Sequence, residues 1–101
     1  MKKKSNKLRK LENSRFSLFD DPNKCHYCKS NYNLTWHEIY SGRNRQNSMK
    51  YGLCLRLCIN CHRLLQDNNG FNNQWHIEGQ LKFNEVYPDL DFLSIFRINY
   101  L

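Results

Sequence analysis

Apolar and polar positions alternate along two short segments of the chain. From Tyr32 to Tyr40 the alternation places Leu34 and Trp36 on one face, which predicts a half-buried β-strand. The stretch from Leu53 to Leu57 is almost continuously apolar, as expected of a largely buried strand. The intervening residues 41–50 are polar and contain a glycine, so we expect them to form the loop of a long hairpin.

The pattern after the second strand changes to a helical period. Residues 59–67 are predicted to form a short helix, which ends at the Asp-Asn-Asn-Gly run that begins at Asp67. A second helix is predicted from about Trp75 to Val86, loosened at Gly79 and broken by Pro88. The last helix is predicted from apolar residues at helical spacing: Leu90, Leu93, Phe96 and Tyr100.

The charge of the chain is concentrated near its start. The chain has 101 residues with Lys+Arg 16 against Asp+Glu 9, a formal charge of +7. Residues 1–14 are predicted to be a basic flexible tail or a short basic helix, and residues 15–101 one domain. Such a basic segment is typical of proteins that contact phosphate. No apolar run approaches the roughly 18 residues of a membrane span, so we expect no membrane partner and a cytoplasmic location.

Four of the five cysteines form two C-x-x-C pairs, Cys25 with Cys28 and Cys58 with Cys61. Two such pairs in one small domain present four thiolates, the donor set of a closed structural zinc site. In a reducing compartment, cysteine pairs bind metal more often than they form disulfides. We therefore expect one structural Zn²⁺ held by these four residues, and expect Cys54 to be a small buried residue.

The order of motifs is more specific than the cysteines alone. It resembles the zinc-containing HNH endonucleases of the ββα-metal superfamily, above all the small ones encoded by bacteriophages and prophages. The resemblance is carried by His-Glu-Ile-Tyr at 37–40, Gly-Arg-Asn-Arg-x-x-Ser at 42–48, Tyr-Gly-Leu at 51–53, Leu-Cys-x-x-Cys-His at 57–62 and the tail at 83–93.

The resemblance implies a fold and an activity. The fold would be a small α+β, zinc-stapled ββα-metal (HNH, or His-Me finger) domain with a core at 25–67 and a helical C-terminal extension at 74–101. The activity would be hydrolysis of DNA phosphodiester bonds with a divalent cation, Mg²⁺ or Mn²⁺. The host would be a bacterium, and the protein would lie in its cytoplasm.

The resemblance also implies catalytic roles, in two alternative registers. If His37 is the general base, the position of the family's strand ligand falls on Trp36, which binds no metal. If His37 is instead a metal ligand, Glu38 takes the position of the base or supplies an oxygen to the ion. We favour His37 as base with Glu38 assisting, since an imidazole pKa lies near the working pH.

The catalytic cation would be held on the helix that follows the second cysteine pair. His62 occupies the family's helix ligand position there. A third ligand would come from Gln66 or Asp67, and Asp67 is preferred because a carboxylate suits a hard cation.

Substrate contacts are expected on the basic stretch between the strands. Arg43, Arg45 and Lys50 are the predicted phosphate contacts, because guanidinium and ammonium groups both bind phosphate. DNA is the expected partner, and a second copy of the chain or a phage or host protein is a further candidate. The alternative function is a catalytically inactive zinc-containing DNA-binding or phage regulatory protein.

Overall fold

A computed structural model of the chain describes residues 6–101. Residues 1–5, the first part of the predicted basic tail, lie outside the described residues. In chain order the elements are α1 (Asn6–Asn13), β1 (Leu34–Glu38), α2 (Arg45–Tyr51), β2 (Cys54–Cys58), α3 (Ile59–Leu65), α4 (Asn69–Val86) and α5 (Phe92–Phe96), with a 3-10 turn (Gly42–Asn44) just before α2.

The two predicted strands pair as an antiparallel sheet. Leu34 lies opposite Cys58 and Glu38 lies opposite Cys54, so the ladder runs the full length of both strands. The second strand is buried except at Arg56, whose guanidinium lies over the Trp36 ring at 4.4 Å. The chain is thus a small mixed α/β domain built on a two-stranded antiparallel sheet.

The connection between the strands differs from the loop predicted over residues 41–50, because most of it is helix α2. No proline or glycine interrupts the run from Arg43 to Tyr51, so the helix can form. The helix is held to the sheet by Ser48, whose buried hydroxyl donates to the Tyr40 carbonyl at 2.8 Å and accepts from the Tyr40 amide at 3.1 Å. Gly52 ends α2 in the left-handed region, at φ 76°.

The N-terminal segment is ordered against this connection. Within residues 1–14, the described part forms helix α1, which was the second of the two predicted alternatives. Glu12 on α1 pairs with Arg45 on α2 at 2.6 Å. Just past α1, Arg15 pairs with Glu38 at the end of β1 at 2.8 Å. These two ion pairs attach the start of the chain to the strand and to the inserted helix.

Helix α4 begins earlier than the predicted start at Trp75 and is unbroken. Asn68 is its N-cap, and the side chain accepts from the Phe71 amide at 2.9 Å. Gly79, where a loosening was predicted, lies inside a regular helix. A Cβ at Gly79 would lie 2.6 Å from the Tyr40 hydroxyl, so glycine permits close packing of the helix on that ring.

Helix α5 is shorter than predicted, and Arg97 ends it in the left-handed region at φ 64°. Phe92 and Phe96 are buried, whereas Leu93 is exposed. The core lies between the sheet and these C-terminal helices and is built mainly from Ile39, Tyr40, Leu53, Leu55, Leu57, Phe83, Phe92 and Phe96. Within residues 6–101, no helix has both the length and the apolar character that a membrane span requires.

Candidate metal centre and histidine pair

The four paired cysteines converge on one point. Cys25 and Cys28 lie in the loop before β1, Cys58 ends β2, and Cys61 lies in the first turn of α3. Their sulfurs all lie within 4.8 Å of one another, and the Cys28 and Cys58 sulfurs are 3.5 Å apart. A tetrahedral ion with Zn–S bonds of about 2.3 Å requires sulfurs about 3.8 Å apart, so the cluster has the dimensions of a metal site.

The ionisation of these thiols also fits a bound cation. Burial raises the pKa of Cys25, but backbone hydrogen bonds from Cys58, Cys28 and Tyr27 lower it more, to about 6. Burial and the neighbouring sulfurs raise the pKa of Cys61 to about 12. The neighbouring sulfurs therefore oppose the ionisation of Cys61, and a bound cation would favour its thiolate form. These cysteines form a cluster that can bind a metal such as zinc.

A buried carboxylate that the sequence analysis missed ties the first cysteine loop to the sheet. Asp20 accepts from the Arg56 amide at 3.1 Å through one oxygen and contacts the His26 Nδ1 at 2.5 Å through the other. The His26 amide donates to the Arg56 carbonyl at 2.7 Å. Asp20 is followed by a second aspartate and a proline, and this looks in sequence like an ordinary exposed turn.

Cys54 lies apart from the metal cluster, as predicted. It is fully buried, and its thiol lies 3.6 Å from the Ser48 carbonyl, to which it donates. Burial raises its pKa to about 12, so the residue is a neutral thiol within the core.

His37 on β1 and His62 on α3 face each other. Their ring centroids are 5.4 Å apart and the rings are nearly perpendicular. The strand alternation puts Thr35 and His37 on the side of β1 that α3 covers, and the cysteine cluster fixes the start of α3 at the end of β2. The structure therefore brings together two of the predicted site residues that lie on different elements.

Thr35, which the sequence analysis did not single out, fixes the tautomer of His62. The Thr35 hydroxyl donates to the Leu57 carbonyl at 2.9 Å, so its oxygen is left to accept from the His62 Nδ1 at 2.8 Å. With the proton on Nδ1, the Nε2 of His62 carries a lone pair, as a metal ligand requires. The signal in the sequence was the spacing: Thr35 precedes His37 by two residues on one strand face.

His37 is held in its neutral form. Its Nε2 is buried and has no hydrogen-bond partner among the described residues. Burial, and then the charge of His62, lower the pKa of His37 to about 4, although Glu38 raises it slightly. Phe71, at the start of α4, covers the ring with a centroid distance of 5.6 Å. A neutral imidazole with an unused nitrogen has the chemistry of a base or of a ligand.

Glu38 is committed to a different interaction. It alternates with His37 along β1, and its Oε1 accepts from Arg15 at 2.8 Å and pairs with Arg45 at 3.4 Å. Arg45 in turn pairs with Glu12 on α1. The carboxylate therefore pairs with two arginines, and strand alternation places it on the face of β1 opposite to His37.

The remaining predicted residues are spread over the surface. Asp67 is exposed beyond the end of α3. Within residues 6–101 the four cysteines are the one group of at least three His, Cys, Asp or Glu side chains close enough to share an ion, so His62 and Asp67 do not belong to a three-residue site of this kind. Arg43 is exposed in the 3-10 turn before α2 and Lys50 is exposed in the last turn of α2, whereas the guanidinium of Arg45 is engaged in ion pairs.

Comparisons of the chain with protein-family models, with curated proteins and with solved structures gave no match. The arrangement of the residues therefore carries the functional argument.

Proposed function

We propose that this protein is an HNH-type endonuclease, of the kind that phages encode, that hydrolyses DNA phosphodiester bonds with a divalent cation. The observation that carries the proposal is the opposed pair His37 and His62, held on a strand and on a helix whose junction is the cysteine cluster. The strongly basic chain is consistent with a polyanionic substrate.

Zinc is the proposed ion of the cysteine cluster, with a structural role only. Four thiolates occupy all positions of a tetrahedral ion and leave none for water. Cys58 ends β2 and accepts from the Cys61 amide at 3.5 Å, so the cluster joins strand to helix and sets the separation of the two histidines. The zinc thus positions the site without taking part in the reaction.

His37 is the proposed general base. Its uncharged Nε2 would accept a proton from a water as the water oxygen bonds to the phosphorus. The P–O3′ bond would break, and the departing 3′ oxygen would take a proton from solvent, while the negative charge of the phosphate raises the low pKa of the ring. His62 presents its Nε2 lone pair to the cation, and Thr35 orients that ring. A Mg²⁺ or Mn²⁺ ion held there would supply positive charge that stabilises the phosphate oxygens. Mg²⁺ keeps several waters and is usually held by one or two carboxylates plus substrate phosphate, so the oxygens of the bound phosphate would have to complete the site with His62.

Two predicted assignments change in this proposal. Glu38 orients the N-terminal segment through Arg15 and Arg45 and does not assist the base. Asp67 is not assigned to the cation in this proposal, because it is exposed beyond the end of α3 and shares no three-residue ligand group with His62 among the described residues.

A plasmid-nicking assay with Mg²⁺ or Mn²⁺ tests the proposal. The zinc-loaded wild type should nick supercoiled DNA, and His37→Leu should lose at least about a hundredfold, the usual contribution of a general base. His76→Gln is the matched control, because His76 packs on the Tyr40 and Tyr100 rings instead. Equal nicking by the wild type and His37→Leu would exclude the assigned base.

The second candidate is a zinc-containing DNA-binding or phage regulatory protein without catalysis. It is favoured by one observation: Phe71 covers His37, and the His37 Nε2 is shut off from water. Under this candidate, DNA binds at low salt, but no variant and no divalent cation produces nicking. The variant Phe71→Ala, which removes the ring over His37, distinguishes the two candidate functions. A nuclease whose activity is limited by the Phe71 ring should nick DNA faster, whereas a binding protein should still show no nicking.

A further inference from the structure

A basic cleft lies between α1 and α2. It encloses about 400 Å³, which is within the range of ligand-binding pockets. Lys7 and Lys10 line it from α1 and Lys50 lines it from α2, and no acidic side chain is found among the residues of 6–101 that line it. The cleft is separate from the cysteine cluster and from the histidine pair, whose residues lie elsewhere.

The three lysines are brought together from distant parts of the chain. Lys7 and Lys10 are three residues apart, so they lie on one face of α1. Lys50 lies in the last turn of α2, forty residues further along. Three exposed ammonium groups that line one cleft give it a positive potential, which attracts an anion. Ser14 and Gln46 add neutral hydrogen-bonding groups to the same lining.

The walls of the cleft are fixed relative to each other. The pair between Glu12 and Arg45 bridges α1 and α2 directly, and the pair between Arg15 and Glu38 fixes the chain just after α1. The acidic side chain of α1 is thereby directed to an arginine outside the cleft lining. A cleft whose walls are already in place loses less entropy when a ligand binds.

We propose that this α1–α2 cleft binds the phosphodiester backbone of a nucleic acid strand. Three ammonium groups from two helices suit successive phosphates, and the described part of the lining offers no aromatic ring for a base to stack on. Binding there is therefore sequence-independent. The choice of a nucleic acid as the ligand rests on the proposed function. The cleft would bind phosphates of that substrate at a distance from the phosphate that reacts.

Salt-dependent binding of a labelled duplex oligonucleotide tests the cleft. Zinc-loaded protein is titrated by fluorescence anisotropy without Mg²⁺ or Mn²⁺, so no cleavage occurs. Each phosphate that a lysine neutralises adds about 0.9 to the slope of log affinity against log salt, so the triple variant Lys7→Gln/Lys10→Gln/Lys50→Gln should reduce that slope by about 2.7. The matched control, Lys24→Gln/Lys82→Gln/Arg97→Gln, removes the same charge from elsewhere and should keep the wild-type slope within about 0.5.

The outcomes separate this inference from the proposed activity. An equal reduction of the slope in both triple variants would mean that net charge alone drives binding, and the cleft would be rejected. Wild-type protein without affinity for DNA at low salt would reject it as well. A selective reduction in the cleft variant, together with no nicking under any condition, would support the cleft and overturn the nuclease. If the triple variant unfolds early in a thermal scan, Lys50→Gln alone should still reduce the slope by about 0.9.

Discussion

Replacing His37 by leucine should make the protein more stable, although it removes the proposed base. The Nε2 of His37 is buried without a partner among residues 6–101, and leucine fills a similar volume without burying a polar atom. A buried unsatisfied group costs about 1–3 kcal/mol, so we expect His37→Leu to gain about 1–2 kcal/mol at neutral pH. Residues at functional sites often lower the folding stability of a protein because they are selected for activity.

The gain should grow as the pH falls. The pKa of His37 is about 4 in the folded protein, against 6.5 for the free side chain. Between these values the unfolded chain binds a proton that the folded protein does not, so wild-type stability is complete above pH 6.5 and decreases toward pH 4. From these two pKa values, the wild type should lose about 1.3 kcal/mol relative to the variant between about pH 7.5 and 5.5.

Urea unfolding of both zinc-loaded proteins at the two pH values measures the effect. Protonation of the cysteine thiolates destabilises both proteins alike, so it cancels in the difference. His62→Leu is the control, because that ring has a partner in Thr35 and its removal should bring no gain at neutral pH. If His37→Leu and the wild type lose stability in parallel as the pH falls, the buried neutral state assigned to His37 is wrong.

Three further expectations concern the metal, the orientation of His62 and the role of the glutamate. Cys28→Ser should lose zinc and unfold, because binding of a structural zinc contributes about 10–16 kcal/mol to folding, whereas the control Cys54→Ala should keep zinc. Metal analysis and circular dichroism measure both variants, and a folded, zinc-free Cys28→Ser protein would count against the zinc site. Thr35→Val should raise the Mg²⁺ concentration needed for half-maximal nicking about 10–100-fold, because His62 loses the hydrogen bond that orients its ring. An unchanged Mg²⁺ dependence would show that this hydrogen bond does not orient His62 for metal binding. Glu38→Gln should lower the free energy of unfolding by about 1–3 kcal/mol, because Arg15 loses its charged partner, but should leave the pH dependence of nicking unchanged. A shifted pH profile would mean that Glu38 does assist the general base.

The strands, the metal cluster and the short helix after it could be predicted because each depends on local spacing. The alternation from Leu34 to Glu38 and the two C-x-x-C pairs each carry their own signal. Helix α2 was harder to predict, because its polar composition is typical of a loop. The residue that anchors it, Ser48, can be recognised only from its hydrogen bonds with Tyr40.

The partners of individual site residues depended on tertiary contacts that no short pattern encodes. Glu38 follows His37 directly and its carboxylate has the right chemistry for catalysis, but it forms ion pairs with Arg15 and Arg45 from different segments. Phe71 lies 34 positions beyond His37 and covers it only because α4 begins earlier than its apolar pattern indicates. The helix start was missed because the N-cap Asn68 lies in a run of turn-forming residues.

The segment between the strands is anchored to Tyr40 by Ser48 and to Glu38 by Arg45. The described contacts of the His37 and His62 rings come from Thr35, from Phe71 and from each other. The ladder from Leu34 to Cys58 and the thiolate cluster hold the two imidazoles in place independently of the intervening helix. Exchange of its exposed side chains Arg43 and Lys50, with the buried Ser48 and Met49 kept, should therefore change how tightly polyanions bind without disturbing the histidine pair. Such a layout would allow the polyanion affinity of the surface to be redesigned separately from the histidine pair.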